Sequence, residues 1–187
     1  FAHVFCGVGN GGDSDLWTAE VRCQMQVRGG LVDLLRFSIP PQWTGPFQLN
    51  QPATTEIVNI PGESRRQLIV RPTTPIQGDF DLTLRSPLSV ASGDRLRVPD
   101  VLPLGMSHMQ RYVVLPTQME LQRIIWSLSN LRPAALPPVQ EGQPGNAATE
   151  SLAAYLVQGE RFDASLKSIE RSSGVAQVRL ADVVVDW

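Results

Sequence analysis

The sequence predicts a mainly β protein: an antiparallel β-sandwich (Ig-like or similar) with at most one or two short helices. Three observations carry this. Residues 17 to 28 alternate without error, with Trp17, Ala19, Val21, Cys23, Met25 and Val27 on one phase and Thr18, Glu20, Arg22, Gln24, Gln26 and Arg28 on the other. Successive side chains of a strand point to opposite faces, so this segment has one dry and one wet face, as antiparallel sheets commonly do. Residues 79 to 85 repeat the pattern, with Phe80, Leu82 and Leu84 on the dry phase and Asp79, Asp81, Thr83 and Arg85 on the wet one. Turn markers such as Pro61-Gly62, Gly78-Asp79 and Ser92-Gly93-Asp94 separate the apolar stretches at the spacing of sandwiches and barrels.

Taken in order, the strand at 17 to 28 runs into Gly29-Gly30 and a second apolar stretch, Leu31 to Ile39, which reads as a hairpin. A two-residue loop would set Cys23 and Met25 against Arg36 and Leu34. A three-residue loop sets Met25 opposite Leu35, Cys23 opposite Phe37 and Val21 opposite Ile39, gathering apolar residues on one face, and is the expected register. Pro40-Pro41 ends the second strand, because proline donates no ladder hydrogen bond. Further strands are expected at residues 56 to 60, 67 to 71 and 79 to 85, with shorter pieces at 95 to 98 and 111 to 115. Thr117-Gln118-Met119-Glu120 fits a capping box, and Leu121, Ile124, Ile125 and Leu128 follow at helical spacing, so a short helix is expected before Pro133. The Ile pair and Trp126 keep a strand as the alternative. Residues 132 to 150, rich in Pro, Gly and Ala, read as a loop or linker. Residues 154 to 157, 161 to 167 and 175 to 187 read as three more strands, the last with a slip of phase near Leu180-Ala181 that suggests a bulge or burial on both faces. The domain division is therefore a β-sandwich core at 1–131, the connection at 132–150, and C-terminal strands at 151–187. Those strands complete the same sheet system or start a second small β domain.

Composition narrows function by class. Sixteen basic residues against eighteen acidic ones, mixed along the chain, form no basic run of the kind that phosphate backbones need, so nucleic acid is not an expected partner. No apolar run approaches the length of a membrane span. Lys167 is the only lysine, a bias that GC-rich coding explains as well as the forked hydrogen bonding of arginine does. The chain has no Asn-x-Ser/Thr sequon. The start at Phe1 and the end just after Val183-Val184-Val185 give the expectation of a piece of a longer parent with flanking domains. The expected setting is extracytoplasmic, in a secreted or cell-envelope bacterial protein.

Gly7, Gly9 and Gly12 match G-x-G-x-x-G, with Asp33 downstream, but a dinucleotide site needs a helix to open at those glycines, and a strand follows instead. Asn10, Asp13 and Asp15 offer closely spaced oxygen ligands for calcium, without EF-hand spacing. A solvated turn is the plainer reading. No other cofactor is expected. Cys6 and Cys23 are the only cysteines. Bridged, they would close a loop worth roughly 3 kcal/mol in the chain-entropy model; unbridged, Cys23 is a buried thiol on the dry phase. His3, Cys6 and Cys23 lack the spacing of structural zinc. Met106, His108, Met109 and Met119 are soft ligands better explained by packing than by copper. Neither His3 nor His108 has a nucleophile at a recognisable spacing, so no catalytic residue is assigned. Trp43 and Phe47 form either an aromatic binding platform or the cap of the sandwich. The expectation is a non-catalytic module with a structural or binding role, with protein or polysaccharide as partner. The alternatives are a small hydrolase with a carboxylate-lined cleft and a carbohydrate-binding module using exposed aromatics.

Overall fold

The computed structural model describes residues 2–10, 17–88, 95–119, 122–135 and 150–171. They form strands and loops, with no helix among them. The strands are β1 (Ala2–Asn10), β2 (Trp17–Val32), β3 (Leu35–Ile39), β4 (Gln48–Leu49), β5 (Ala53–Asn59), β6 (Arg66–Pro72), β7 (Ile76–Pro87), β8 (Leu102–Leu104), β9 (Met109–Met119), β10 (Gln122–Ser129), β11 (Leu131–Pro133), β12 (Glu150–Val157) and β13 (Asp163–Arg171).

The larger sheet runs β11-β12-β9-β1-β2-β7-β4, with β10 paired to β9 and β13 paired to β10. The smaller sheet runs β5-β6-β3-β8. Among the described residues all strand pairings are antiparallel except β1 with β9, which makes the larger sheet mixed. The two sheets share one hydrophobic core, giving a β-sandwich-like architecture.

The alternation read in residues 17 to 28 fixes the inner face of β2: Trp17, Ala19, Val21, Cys23 and Met25 are all buried. Across β1 they face Val8, Cys6, Val4 and Ala2 (Val21↔Cys6, Cys23↔Val4), and across β7 they face Leu84, Leu82 and Phe80. Leu82 and Leu84 are fully buried, whereas Phe80 is only partly so. The wet phase forms a polar ladder. Glu20 and Arg85 pair directly at 2.6 Å, Arg22 Nε donates to Asp81 at 2.8 Å, and Gln26 Nε2 donates to Asp79 at 3.0 Å.

The expected hairpin of β2 with the 31–39 stretch is not formed. β2 continues through Gly29 and Gly30, both at positive φ (70° and 113°), as far as Val32. Asp33 and Leu34 then carry the chain to the other sheet, where β3 pairs with β6 and β8. Leu35, Phe37 and Ile39 do join Val21, Cys23 and Met25 in one core, but from the opposite sheet rather than the adjacent strand. Apolar period fixes the face a strand buries and leaves its partner open.

The expected helix after Thr117 is also absent. β9 runs on to Met119 and β10 returns against it, with Arg123↔Gln118. Thr117 Oγ1, the supposed cap, donates instead to the Ser151 carbonyl on β12 at 2.9 Å. Trp126 Nε1 donates to the Pro116 carbonyl at 2.8 Å, and its ring meets Trp17 edge-on at 6.1 Å. Ile124 is buried and pairs with Ile169 of β13. Two β-branched residues and a tryptophan suit a pleated surface, and the cross-strand partners override the local cap signal.

The 95–98 piece is reduced to a single bridge, Arg97↔Ser165, flanked by Val98 N–H to Ala164 O at 2.9 Å and Leu166 N–H to Leu96 O at 2.8 Å. Of the expected connection at 132–150, Arg132 and Pro133 pair with β12, and Glu150 opens it; residues 136–149 lie outside the described residues. So does the expected strand at 175 to 187. β12 and β13 both belong to the larger sheet.

Candidate functional site

Phase locates the most unusual group in the molecule. On β9, Val113 and Leu115 point into the core, and so does Arg111 two residues earlier. A guanidinium on a dry phase needs a counter-charge, because an unpaired buried charge costs several kcal/mol. Asp100, buried just before β8, supplies it: Arg111 Nη2 donates to Asp100 Oδ1. Arg111 Nη1 donates to the Glu160 carbonyl at 2.7 Å, and its carbon Cζ lies 5.5 Å from the Phe162 ring centroid, a cation–π contact.

Asp100 also takes a second arginine. Arg65, in the turn before β6, donates from Nη1 to Asp100 Oδ2 at 3.2 Å and from Nη2 to the Asp100 carbonyl. Its Nε donates to Ser38 Oγ at 2.7 Å and its Nη2 to the Ser38 carbonyl at 2.9 Å. Side-chain exposures are 5% for Arg111, 11% for Asp100 and 14% for Arg65, so one buried carboxylate balances two largely buried guanidinium groups. Burial holds the Arg65 pKa below the usual arginine value; Asp100 opposes this, and Arg161 and Arg111 add to it. The cluster ties β3 and the turn before β6 in the smaller sheet to β9 and the β12–β13 turn of the larger one. Above it opens a cleft of about 430 Å³ whose lining includes Ser38, Glu63, Ser64, Arg65, Glu160 and Arg161.

Residue phase was the available signal for this cluster. Arg111 interrupts an otherwise apolar inward phase, a pattern detectable once the strand is recognised. Arg65 and Asp100 lie in connections, where no period exists to be broken.

The residues singled out from the sequence lie elsewhere. Trp43 is 1% exposed and meets Phe47 edge-on at 4.8 Å, while Phe47 packs partly buried against the core. The pair packs as a cap on the core, and the Trp43 ring is covered, while Phe47 keeps part of its surface exposed. Asn10 ends β1, and Asp13 and Asp15 lie outside the described residues, as does Gly12. Gly7 and Gly9 are within β1, an extended strand rather than a helix start.

Cys6 and Cys23 are both free and buried on neighbouring strands, offset by two residues, since Cys6 faces Val21 and Cys23 faces Val4. Burial pushes the Cys6 thiol up to about 11 and the Cys23 thiol higher still. His3 Nε2 lies 3.2 Å from Gln110 Oε1 and edge-on to Phe5 and Tyr112. His108 is exposed beside Arg28 and Ser107. Met106 and Met109 pack against the core. Among the described residues no group of three or more His, Cys, Asp or Glu could hold a metal. No described helix is long and apolar enough to cross a membrane. No protein-family model and no curated protein matches the chain.

Proposed function

We propose that the chain is a non-catalytic β-sandwich module with a structural or binding role in a larger exported bacterial protein, with protein or polysaccharide as its partner. The observation that supports this reading best is the state of Asp100. It is the most deeply buried described carboxylate beside the cleft, yet both its oxygens accept hydrogen bonds from arginines that join the two sheets. A carboxylate whose two oxygens are both engaged in that way is suited to fastening sheets together. The preference for arginine over lysine, of the kind GC-rich coding gives, is the support for a bacterial parent.

The rival reading, a hydrolase, draws on Glu63 and Glu160 at the mouth of the same cleft. Two carboxylates flanking a cleft are the minimum for glycoside hydrolysis. The experiment is a panel of chromogenic glycosides, esters and phosphate esters, assayed with the wild-type chain and with the double variant Glu63→Gln/Glu160→Gln. No turnover above background is expected. Turnover that falls by more than about 10²-fold in the double variant, the scale of a lost general acid or base, would replace the module reading with the enzymatic one.

A further inference from the structure

The cleft above the ion cluster brings the guanidinium groups of Arg65 and Arg161 to its lining, with Arg111 beneath, among Asp100, Glu63 and Glu160. Arg65 and Arg111 share the single carboxylate of Asp100, and Arg161 stands close enough to Arg65 to disfavour its charge. The Arg161 guanidinium makes no hydrogen bond or ion pair with any described residue, although the carbonyl of the same residue accepts from Asn130 Nδ2 at 3.1 Å. Arg65 uses four hydrogen bonds to hold Ser38 and Asp100, which leaves one of its five N–H donors over. Deeper still, Arg111 Nε is buried without a partner.

We infer that this cleft binds a small molecule bearing an oxyanion, either a carboxylate or a phosphate ester, between Arg161, Ser64 and the outer edge of Arg65. The inference goes beyond the module reading, since the ion cluster fastens the sheets whether or not the cleft is filled. Forked guanidinium donors match the planar or tetrahedral oxygens of such groups. The volume of about 430 Å³ lies in the range of small-molecule sites, so the cleft has room for more than the anion alone. Glu63 and Glu160 on its rim are exposed, where water and salt screen them. With Asp100 they bring the formal charge around the cleft to zero, so the attraction for an oxyanion rests on the short-range donors of Arg161 and Arg65 and not on a net positive field.

The test is a titration of the ¹⁵N-labelled chain with inorganic phosphate and, separately, with acetate. Sodium chloride holds the ionic strength constant, and the arginine Nε–H resonances are the readout. Saturable shifts confined to Arg65 and Arg161 are expected with at least one of the two ions. Tighter phosphate binding assigns the ligand as a phosphate ester, tighter acetate binding as a carboxylate. Arg161→Gln, at an exposed side chain, should weaken binding about tenfold, the scale of a lost charge-assisted hydrogen bond, and leave Tm unchanged. Arg71→Gln, on the surface of β6, should leave binding as it was. Shifts that do not saturate, that spread evenly over the arginines, or that survive Arg161→Gln undiminished would overturn the inference.

Discussion

Asp100→Asn is the sharpest perturbation available, because it removes a charge and keeps the shape. In the native cluster Oδ1 accepts from Arg111 and Oδ2 from Arg65. An amide leaves two guanidinium groups without a counter-charge and turns one acceptor into a donor aimed at another donor. At the 3.2 Å separation of Arg65 from Asp100, Coulomb's law with an effective dielectric near 20 gives an attraction of about 5 kcal/mol, before the cost of desolvating both groups is set against it. Breaking a buried pair by removing one partner costs about 3–5 kcal/mol, since the stranded charge keeps its desolvation penalty. For a chain of this size that amounts to a fall in Tm of roughly 6–20 °C, and to a large part of a typical total stability of about 5–15 kcal/mol. Urea unfolding is the assay, with an unchanged m-value showing that the folded state is still compact. Adding Arg111→Met to Asp100→Asn should make the double variant less unstable than the sum of the single ones, because it removes one of the stranded charges. A loss below about 1 kcal/mol for Asp100→Asn, the range of exposed ion pairs, would refute the account of a buried tie between the sheets.

Three further outcomes are expected. Leu82→Ala should cost about 2–5 kcal/mol in urea unfolding, and Phe80→Ala less, since Leu82 is fully buried and Phe80 is not; equal costs would contradict the core assignment. The Cys6 thiol is pushed by burial from 9.0 to about 11, so the folded state holds its proton longer than the unfolded one. Its contribution to stability is full below pH 9 and lost as pH rises toward 11, and Cys6→Ala should flatten that alkaline decline in Tm. Gly45→Ala should destabilise by at least about 1–2 kcal/mol, because Gly45 has φ of 86° and an added Cβ would come within 3.1 Å of the Phe47 ring. An unchanged Tm there would mean that the Trp43–Phe47 cap yields easily.

Faces were legible in the sequence and partners were not. The dry phase of residues 17 to 28 and of Leu82 and Leu84 names core residues correctly, because period two is a property of the strand alone. Pairing depends on what the rest of the chain offers. β7 displaced β3 as the neighbour of β2 because it carries an equally clean alternation over a longer run. The 117–128 segment shows the opposite error, where a four-residue cap signal outweighed two isoleucines and a tryptophan whose partners lie on β9 and β13. The ion cluster stayed hidden for a related reason. Ser38, Arg65, Asp100 and Arg111 come from four separate segments, and only Arg111 disturbs a local pattern.

The position of β1 governs the order in which the chain can acquire its structure. Ala2–Asn10 is an interior strand, antiparallel to β2 on one side and parallel to β9 on the other, with Ala2 matched to both Met25 and Met109. As the polypeptide leaves the ribosome, its first partner follows within a few dozen residues, but the second waits until about residue 114 has emerged. Until then the free edge of β1, with Phe5 and Tyr112 not yet stacked, is an unprotected template for other chains. Pairing across so long a separation is slow, because the loop must close before any contact rewards it. Fragments that stop short of Met109 should therefore aggregate more readily than the whole chain.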